Sequence, residues 1–213
     1  ILVCCIILLL IGCVALYSAT QETGYDELKK QIIWAAISIP IMLIVIFIDY
    51  NFIAKFSPIF YGIFIILLIA VLFTPVVNGA TSWFNITDGI RLQPSEFAKV
   101  FVVIFLAYIM EKIQKKGRNE INKPLKLLLL LSIVAVPVLL IVKQPDYGTA
   151  IAFIMATVLM LFVAGIDKKY IIATVAIIAI AVPLAYNFIL PEHAKSRIDV
   201  FLNPDLDPRG ARI

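Results

Sequence analysis

Runs of nearly charge-free apolar residues recur along this 213-residue chain, and they dictate the solvent in which it can fold. Crossing about 30 Å of hydrocarbon takes about 20 helical residues at about 1.5 Å each. Such runs fall at 1–19, 31–48, 56–77, 94–110, 127–142, 147–166 and 170–190. A soluble helix of that length would pair an apolar stripe of period 3.6 with a charged face, whereas these are apolar all round and only the fourth holds charges. Spanning strands would alternate polar and apolar residues over about ten positions, and no segment does. The composition agrees, with 62% hydrophobic and 15% charged residues against about 45–50% and about 25% in an ordinary soluble domain. The sequence therefore predicts an all-α, polytopic integral membrane protein with seven transmembrane helices. The bundle occupies 1–190, and an extracytoplasmic segment follows from 191 to 213.

The chain opens at Ile1 inside an apolar run, without a basic leader, and stops at Ile213 in a polar stretch. It reads as an internal piece of a longer protein, and the first run is a poor signal peptide. Lys and Arg in the short loops set the orientation. Lys112, Lys115, Lys116, Arg118, Lys123 and Lys126, with Lys55, Lys168 and Lys169, put nine on one side, against four (Lys29, Lys30, Arg91 and Lys143) on the other. The richer side is cytoplasmic by the positive-inside rule. The net charge of +4 is thus mostly a topology signal that argues for no nucleic-acid partner. The membrane lipids are the natural partners of loop 111–126, whose bases fix orientation and can also touch anionic headgroups. Cys4, Cys5 and Cys13 lie together in an apolar run with no companion ligands, so they support neither a disulfide framework nor a metal site. His193, without a carboxylate partner nearby in sequence, reads as a surface residue.

Charges inside hydrocarbon are more informative, because each costs at least about 2.5 kcal/mol at mid-helix and needs compensation. The fourth run begins Gln93-Pro94-Ser95-Glu96-Phe97-Ala98-Lys99. Pro94 suits a first helical position, Glu96 meets the positive end of the helix dipole, and Glu96 and Lys99 are spaced to pair. The sixth begins Gln144-Pro145-Asp146-Tyr147-Gly148-Thr149, where a Gln-Pro pair again opens the helix and an acidic residue follows in its first turn. Both helices run from outside to inside, so both N-termini face outward, with Arg91 and Lys143 just ahead of them. Helix N-termini bind phosphates. If the two helices are neighbours, their starts form an outer polar pocket suited to a pyrophosphate or a sugar. Capping and pairing explain each element separately, but not why Lys99 sits deeper in the run.

Together with Gly79-Ala80-Thr81-Ser82-Trp83 and Asn203-Pro204-Asp205-Leu206-Asp207-Pro208, these two motifs resemble, in order, the signatures of the SEDS family (shape, elongation, division and sporulation proteins) of RodA, FtsW and SpoVE type. The resemblance covers essentially the whole chain. It implies a ten-span fold, with residues 191–213 starting a large outer loop. It also implies a peptidoglycan glycosyltransferase that polymerises lipid II at the outer face of the bacterial cytoplasmic membrane, beside a class B penicillin-binding transpeptidase. Carried over residue by residue, Trp83, Glu96, Lys99 and Asp146 line or support the central polar cavity. The family's catalytic Asp lies later in the outer loop, so no residue here is assigned as catalytic. After Pro208 the sequence departs from the family's pattern, with Gly210 and Ala211 leading to Arg212 and Ile213. Ile48-Asp49-Tyr50 with Phe52, and the Trp83 loop, lean toward the RodA-like elongation branch.

Polymerisation needs a base for the acceptor hydroxyl and stabilisation of the departing lipid pyrophosphate. Arg91, Lys99 and Lys143 are expected on the substrate side with Trp83, Glu96 and Asp146. The family implies a divalent metal sharing the charge, although no ligand cluster is visible in the sequence and no other cofactor is expected. Two rival readings are a transporter or flippase of the lipid-linked precursor and a non-catalytic scaffold for the transpeptidase. No phosphate-gripping P-loop appears in the cytoplasmic segments.

Overall fold

Every apolar run forms a helix over its described part. The computed structural model describes residues 2–21, 24–75, 81–87, 90–188 and 195. Its elements are α1 (Leu2–Ala19), α2 (Asp26–Phe47), α3 (Tyr50–Ala70), β1 (Phe84–Thr87), β2 (Ile90–Leu92), α4 (Pro94–Gln114), α5 (Pro124–Lys143), α6 (Tyr147–Val163) and α7 (Lys168–Phe188). Short 3-10 turns follow α3 at Val71–Phe73 and precede α5 at Arg118–Asn122. Leu2–Ala19, Asp26–Phe47, Tyr50–Phe73 and Pro124–Lys143 are long and apolar enough to cross a membrane by length and composition alone. The helix α6 is shorter, at 17 residues, and α4 carries Glu96, Lys99, Glu111 and Lys112 within its 21. The protein is a multi-pass, all-α membrane protein. Seven is the number of long helices among its described residues, and four meet the stricter test for spanning.

Several boundaries differ from the sequence expectation, for electrostatic reasons. The helix α2 starts five residues earlier than the apolar run, at Asp26, because Asp26 and Glu27 pair with Lys29 and Lys30 at 3.0 and 2.8 Å. These i,i+3 pairs support a polar first turn outside the hydrocarbon. At the other side of the membrane α4 continues past residue 110 to Gln114, with Glu111 paired to Lys115 at 2.8 Å. The segment before α4 holds a small antiparallel hairpin, with Phe84 opposite Leu92 and Asn85 opposite Arg91. The tail from 191 onward, apart from Lys195, lies outside the described residues, as do Gly79, Ala80, His193 and the Asn203–Pro208 motif.

The chain divides into two units, residues 1–56 and 57–213. In the first, α1 packs on α2, and the Tyr17 and Tyr25 rings stack at 5.5 Å where α1 hands over to α2. Neither helix buries a residue, as suits helices whose solvent is lipid. In the second unit α4 packs on both α5 and α6, and α5 on α6. Phe60 and Phe64 of α3 stack on Phe101 of α4 at 4.6 and 5.0 Å. Two buried clusters lie along this unit. One joins Leu68, Ala98, Val102, Ile141, Ala150 and Phe153. The other gathers Leu106, Met110, Ile113, Ile121 and Leu130 near the loops assigned to the cytoplasm.

Apolar burial orients helices weakly in lipid, because the tails are as apolar as leucine, so polar contacts and close packing carry more of the specificity. One such contact repairs a helix. Pro137 lies inside α5 and has no N–H to give the carbonyl of Ile133, one turn back. The hydroxyl of Tyr61 on α3 donates to that carbonyl at 3.0 Å. Tyr61→Phe is expected to orphan it and cost about 1–3 kcal/mol. In a Pro137→Ala background, where the helix can satisfy its own carbonyl, the same change should cost much less. Unfolding in mild detergent measures both, and equal costs in the two backgrounds would show that the contact serves another purpose.

The α6 C-terminus is closed by Gly165, whose φ of +83° suits glycine. Ile166 N–H donates to the Leu161 carbonyl at 3.2 Å and Gly165 N–H to Phe162 at 3.1 Å, a Schellman closure. Gln114 of α4 donates to the Ala164 carbonyl at 2.7 Å. The Asn122 side chain accepts from Asp167 N–H at 2.8 Å, and Tyr170 donates to the Asn122 carbonyl at 3.2 Å. The α4–α5 and α6–α7 loops are thereby latched together.

Candidate functional site

The two helix starts meet, although only Pro94 is a first helical residue: α6 begins at Tyr147, and Asp146, expected in its first turn, is its N-cap. Gln93 precedes α4 in extended conformation, and its Nε2 donates to Asp146 Oδ2 at 2.8 Å. Asp146 is the N-cap of α6, and its Oδ1 accepts from Thr149 N–H at 3.2 Å. One carboxylate therefore caps its own helix and holds the start of the other. About one turn deeper, Ala98 on α4 and Ala150 on α6 are buried in the same cluster. Small residues there let two backbones approach closely, which places both N-termini side by side at one end of the bundle.

Glu96 and Lys99 pair as their spacing requires, with Nζ 2.7 Å from Oε1. Lys99 is the less exposed, at 33% against 53% for Glu96. Arg91 on β2 is exposed opposite Asn85, and Lys143, the last residue of α5, is also exposed. Neither cation has an ion-pair partner among the described residues. Trp83 is half-buried on the lead into β1. Its neighbour Ser82 is buried, and the Ser82 hydroxyl donates to the Gln144 carbonyl at 3.4 Å. The structure thus joins Gln93 to Asp146, Glu96 to Lys99 and, through Ser82, the segment leading into β1 to the α5–α6 junction. No direct side-chain bond among the described residues ties Trp83, Arg91 or Lys143 to the two polar pairs.

Gln144 is a supporting residue that sequence reasoning left without a role. It is fully buried, and its Nε2 donates to the Leu68 carbonyl at the end of α3 at 3.0 Å. Its Oε1 and the buried Ser95 hydroxyl have no partner. The available signal was the repeat itself, a glutamine before proline at the mouth of two apolar runs.

The site's charges are Arg91, Lys99 and Lys143 against Glu96 and Asp146, and two helix N-termini add partial positive charge. That balance suits an anionic, oxygen-rich group. It does not suit a resident divalent metal. Among the described residues no three His, Cys, Asp or Glu side chains cluster, Glu96 is taken by Lys99, and Asp146 is taken by an amide and a backbone N–H.

A family model described as cell cycle protein, of FtsW, RodA and SpoVE type, matches residues 1–212. A probable peptidoglycan glycosyltransferase FtsW of Trichlorobacter lovleyi is 31% identical over 210 residues, covering 93% of this chain and 53% of that protein. The peptidoglycan glycosyltransferase MrdB of Escherichia coli K12 is 30% identical over 207 residues, covering 96% and 54%. The chain spans about half the length of these curated relatives. A solved peptidoglycan synthase complex that coordinates polymerization and crosslinking contains a chain of the same fold, with a TM-score of 0.75 and 24% identity over 96% of this chain and 60% of that one. The rod shape determining protein RodA of Thermus thermophilus matches with a TM-score of 0.66 and 22% identity over 82% and 57%.

Proposed function

The chain belongs to the FtsW, RodA and SpoVE family of cell cycle proteins, and from that membership we propose that it polymerises peptidoglycan glycan strands from lipid II at the outer face of the bacterial cytoplasmic membrane, in elongation or division. The observation that carries the reading is the Gln93–Asp146 bond of 2.8 Å, which sets two helix N-termini side by side next to a lysine in the first turns of α4. Backbone N–H groups at two adjacent helix starts offer a phosphate site.

In this reading the pyrophosphate of a lipid-linked sugar lies over the α4 and α6 starts. Lys99 and Arg91 face the charge that develops as the pyrophosphate departs, Lys143 adds to the local positive potential, and Trp83 offers an apolar face at the mouth. Stabilising a leaving pyrophosphate needs preorganised donors rather than a titrating group. Glu96 holds Lys99 in place, and Asp146 holds the two helices in register. Neither is assigned as the base that takes the acceptor hydroxyl's proton. That base is proposed to lie outside these residues, in the family's outer loop. A class B penicillin-binding transpeptidase is the proposed partner, because new glycan must be crosslinked where it emerges.

The test is polymerisation of labelled lipid II by the purified full-length protein, with and without its cognate transpeptidase and a divalent metal. Long glycan products are expected. A stable, partner-bound protein that makes none under any of these conditions overturns the proposal, and leaves translocation of the precursor or scaffolding as its role.

A further inference from the structure

At the opposite end of the same two helices lies a second cleft, of about 750 Å³, between α4 and α6. Its walls are apolar, from Ala107 and Met110 on one side and Leu159, Met160 and Val163 on the other. Its rim is polar, with Glu111 and Gln114 on the last turn of α4 and Lys115 just after it. Leu159 and Val163 are 59% and 82% exposed, so the cleft opens sideways to whatever surrounds the bundle. Its rim adjoins the loop that the positive-inside rule places in the cytoplasm.

The charges at the rim are not balanced from within. Lys115 is paired to Glu111 at 2.8 Å, whose hydrogen bond and charge hold the ammonium above the usual lysine range. Lys116 and Arg118 have no ion-pair partner among the described residues. The Arg118 guanidinium lies over Gly165, close enough that a β-carbon there would stand 3.5 Å from Nε and Nη2. Gly165 directly follows Ala164, the last lining residue of α6. Residues 111–126 hold six bases and two acids, a net charge of +4.

We propose that this cleft binds an anionic phospholipid of the cytoplasmic leaflet, with an acyl chain between α4 and α6 and the phosphate at Arg118 and Lys116. An apolar slot open to lipid takes a hydrocarbon chain, and an unpaired guanidinium at its mouth fixes the depth and sign of the headgroup. Arginine suits this role because its planar fork meets phosphate oxygens in pairs, and basic pockets between membrane helices are known seats for anionic headgroups. The site lies across the membrane from the two helix starts, so its occupant is a structural lipid rather than the substrate. Gln114 already ties α4 to the Ala164 carbonyl at this end, and the lipid fills the groove beside that tie.

The test is native mass spectrometry of the purified full-length protein with phosphatidylglycerol and phosphatidylcholine of matched chains. Phosphatidylglycerol is expected to be retained preferentially, and Arg118→Gln to weaken that preference about tenfold, the scale of one set of charge-assisted hydrogen bonds. Lys55→Gln, an exposed cytoplasmic base on another helix, should leave it unchanged. A photo-crosslinking residue at Val163 should capture lipid. No preference, an equal loss in both variants, or a Val163 crosslink to another helix of the protein would each overturn the proposal. Lipid retention is read without polymerase activity, so this result stands apart from the polymerase assay.

Discussion

Lys99→Ala is expected to lower glycan polymerisation by the full-length protein at least about a hundredfold, the usual scale for removing one preorganised donor from a developing anion. The protein should still accumulate, folded, in the membrane. The structural share of Lys99 is small. Its pair with Glu96 is an i,i+3 contact at 2.7 Å with both side chains a third or more exposed, and such a pair stabilises a helix by only about 0.2–0.5 kcal/mol. Glu96 left alone sits in the first turn of α4, where the helix dipole favours a carboxylate. Glu96→Gln separates the roles. It also breaks the pair but keeps the cation, so it should cost far less activity than Lys99→Ala. Equal losses in the two variants would make the pair a structural unit, and normal activity in Lys99→Ala would remove Lys99 from the site. Labelled lipid II turnover, with fluorescence-detected size exclusion as the folding control, supplies both readings.

The helical architecture was legible because lipid writes an unambiguous code: long apolar runs, charges confined to their ends, and bases gathered on one side. Pro94 and Asp146 marked two helix starts, and the Glu96–Lys99 spacing gave a pair that the structure shows. What periodicity could not supply was adjacency. Nothing local says that α4 and α6 touch, since both are apolar all round and either could have faced any neighbour. The contact is decided by a long-range bond from Gln93 to Asp146 and by alanines one turn below. The Tyr61–Ile133 bond was hidden for the same reason, although Pro137 announced a carbonyl that needed a donor. Gln144 was passed over because a glutamine beside a proline reads as loop, and only its full burial shows that it ties α3 to the α5–α6 junction. The hairpin at Phe84–Leu92 is short, and its strands are too brief for alternation to register.

Asp146→Ala should be the most damaging single change at the outer face, because one carboxylate does two jobs. It caps α6 through Thr149 N–H and receives the Gln93 amide from the α4 start. Losing a cap costs about 0.5–2 kcal/mol, and losing a hydrogen bond to a charged group about 1.5–3 kcal/mol. The expected destabilisation is therefore about 2–5 kcal/mol, with the two helix starts released from each other. Asp146→Asn keeps one oxygen, enough for the Thr149 cap, and puts an amide NH2 where Oδ2 accepted from Gln93; a flipped Gln93 amide then accepts from that NH2, so the variant should recover most of the stability. If the carboxylate also serves the chemistry through the field it sets at the helix ends, that variant will fold well and still polymerise slowly. A double-mutant cycle of Gln93→Ala with Asp146→Ala isolates the bond itself, and a coupling of about 1.5–3 kcal/mol is expected. A coupling near zero would mean that α4 and α6 are held together by packing at Ala98 and Ala150 alone. The pyrophosphate site would then be set by those alanines, and enlarging either one, rather than cutting the bond, would be the change that abolishes it.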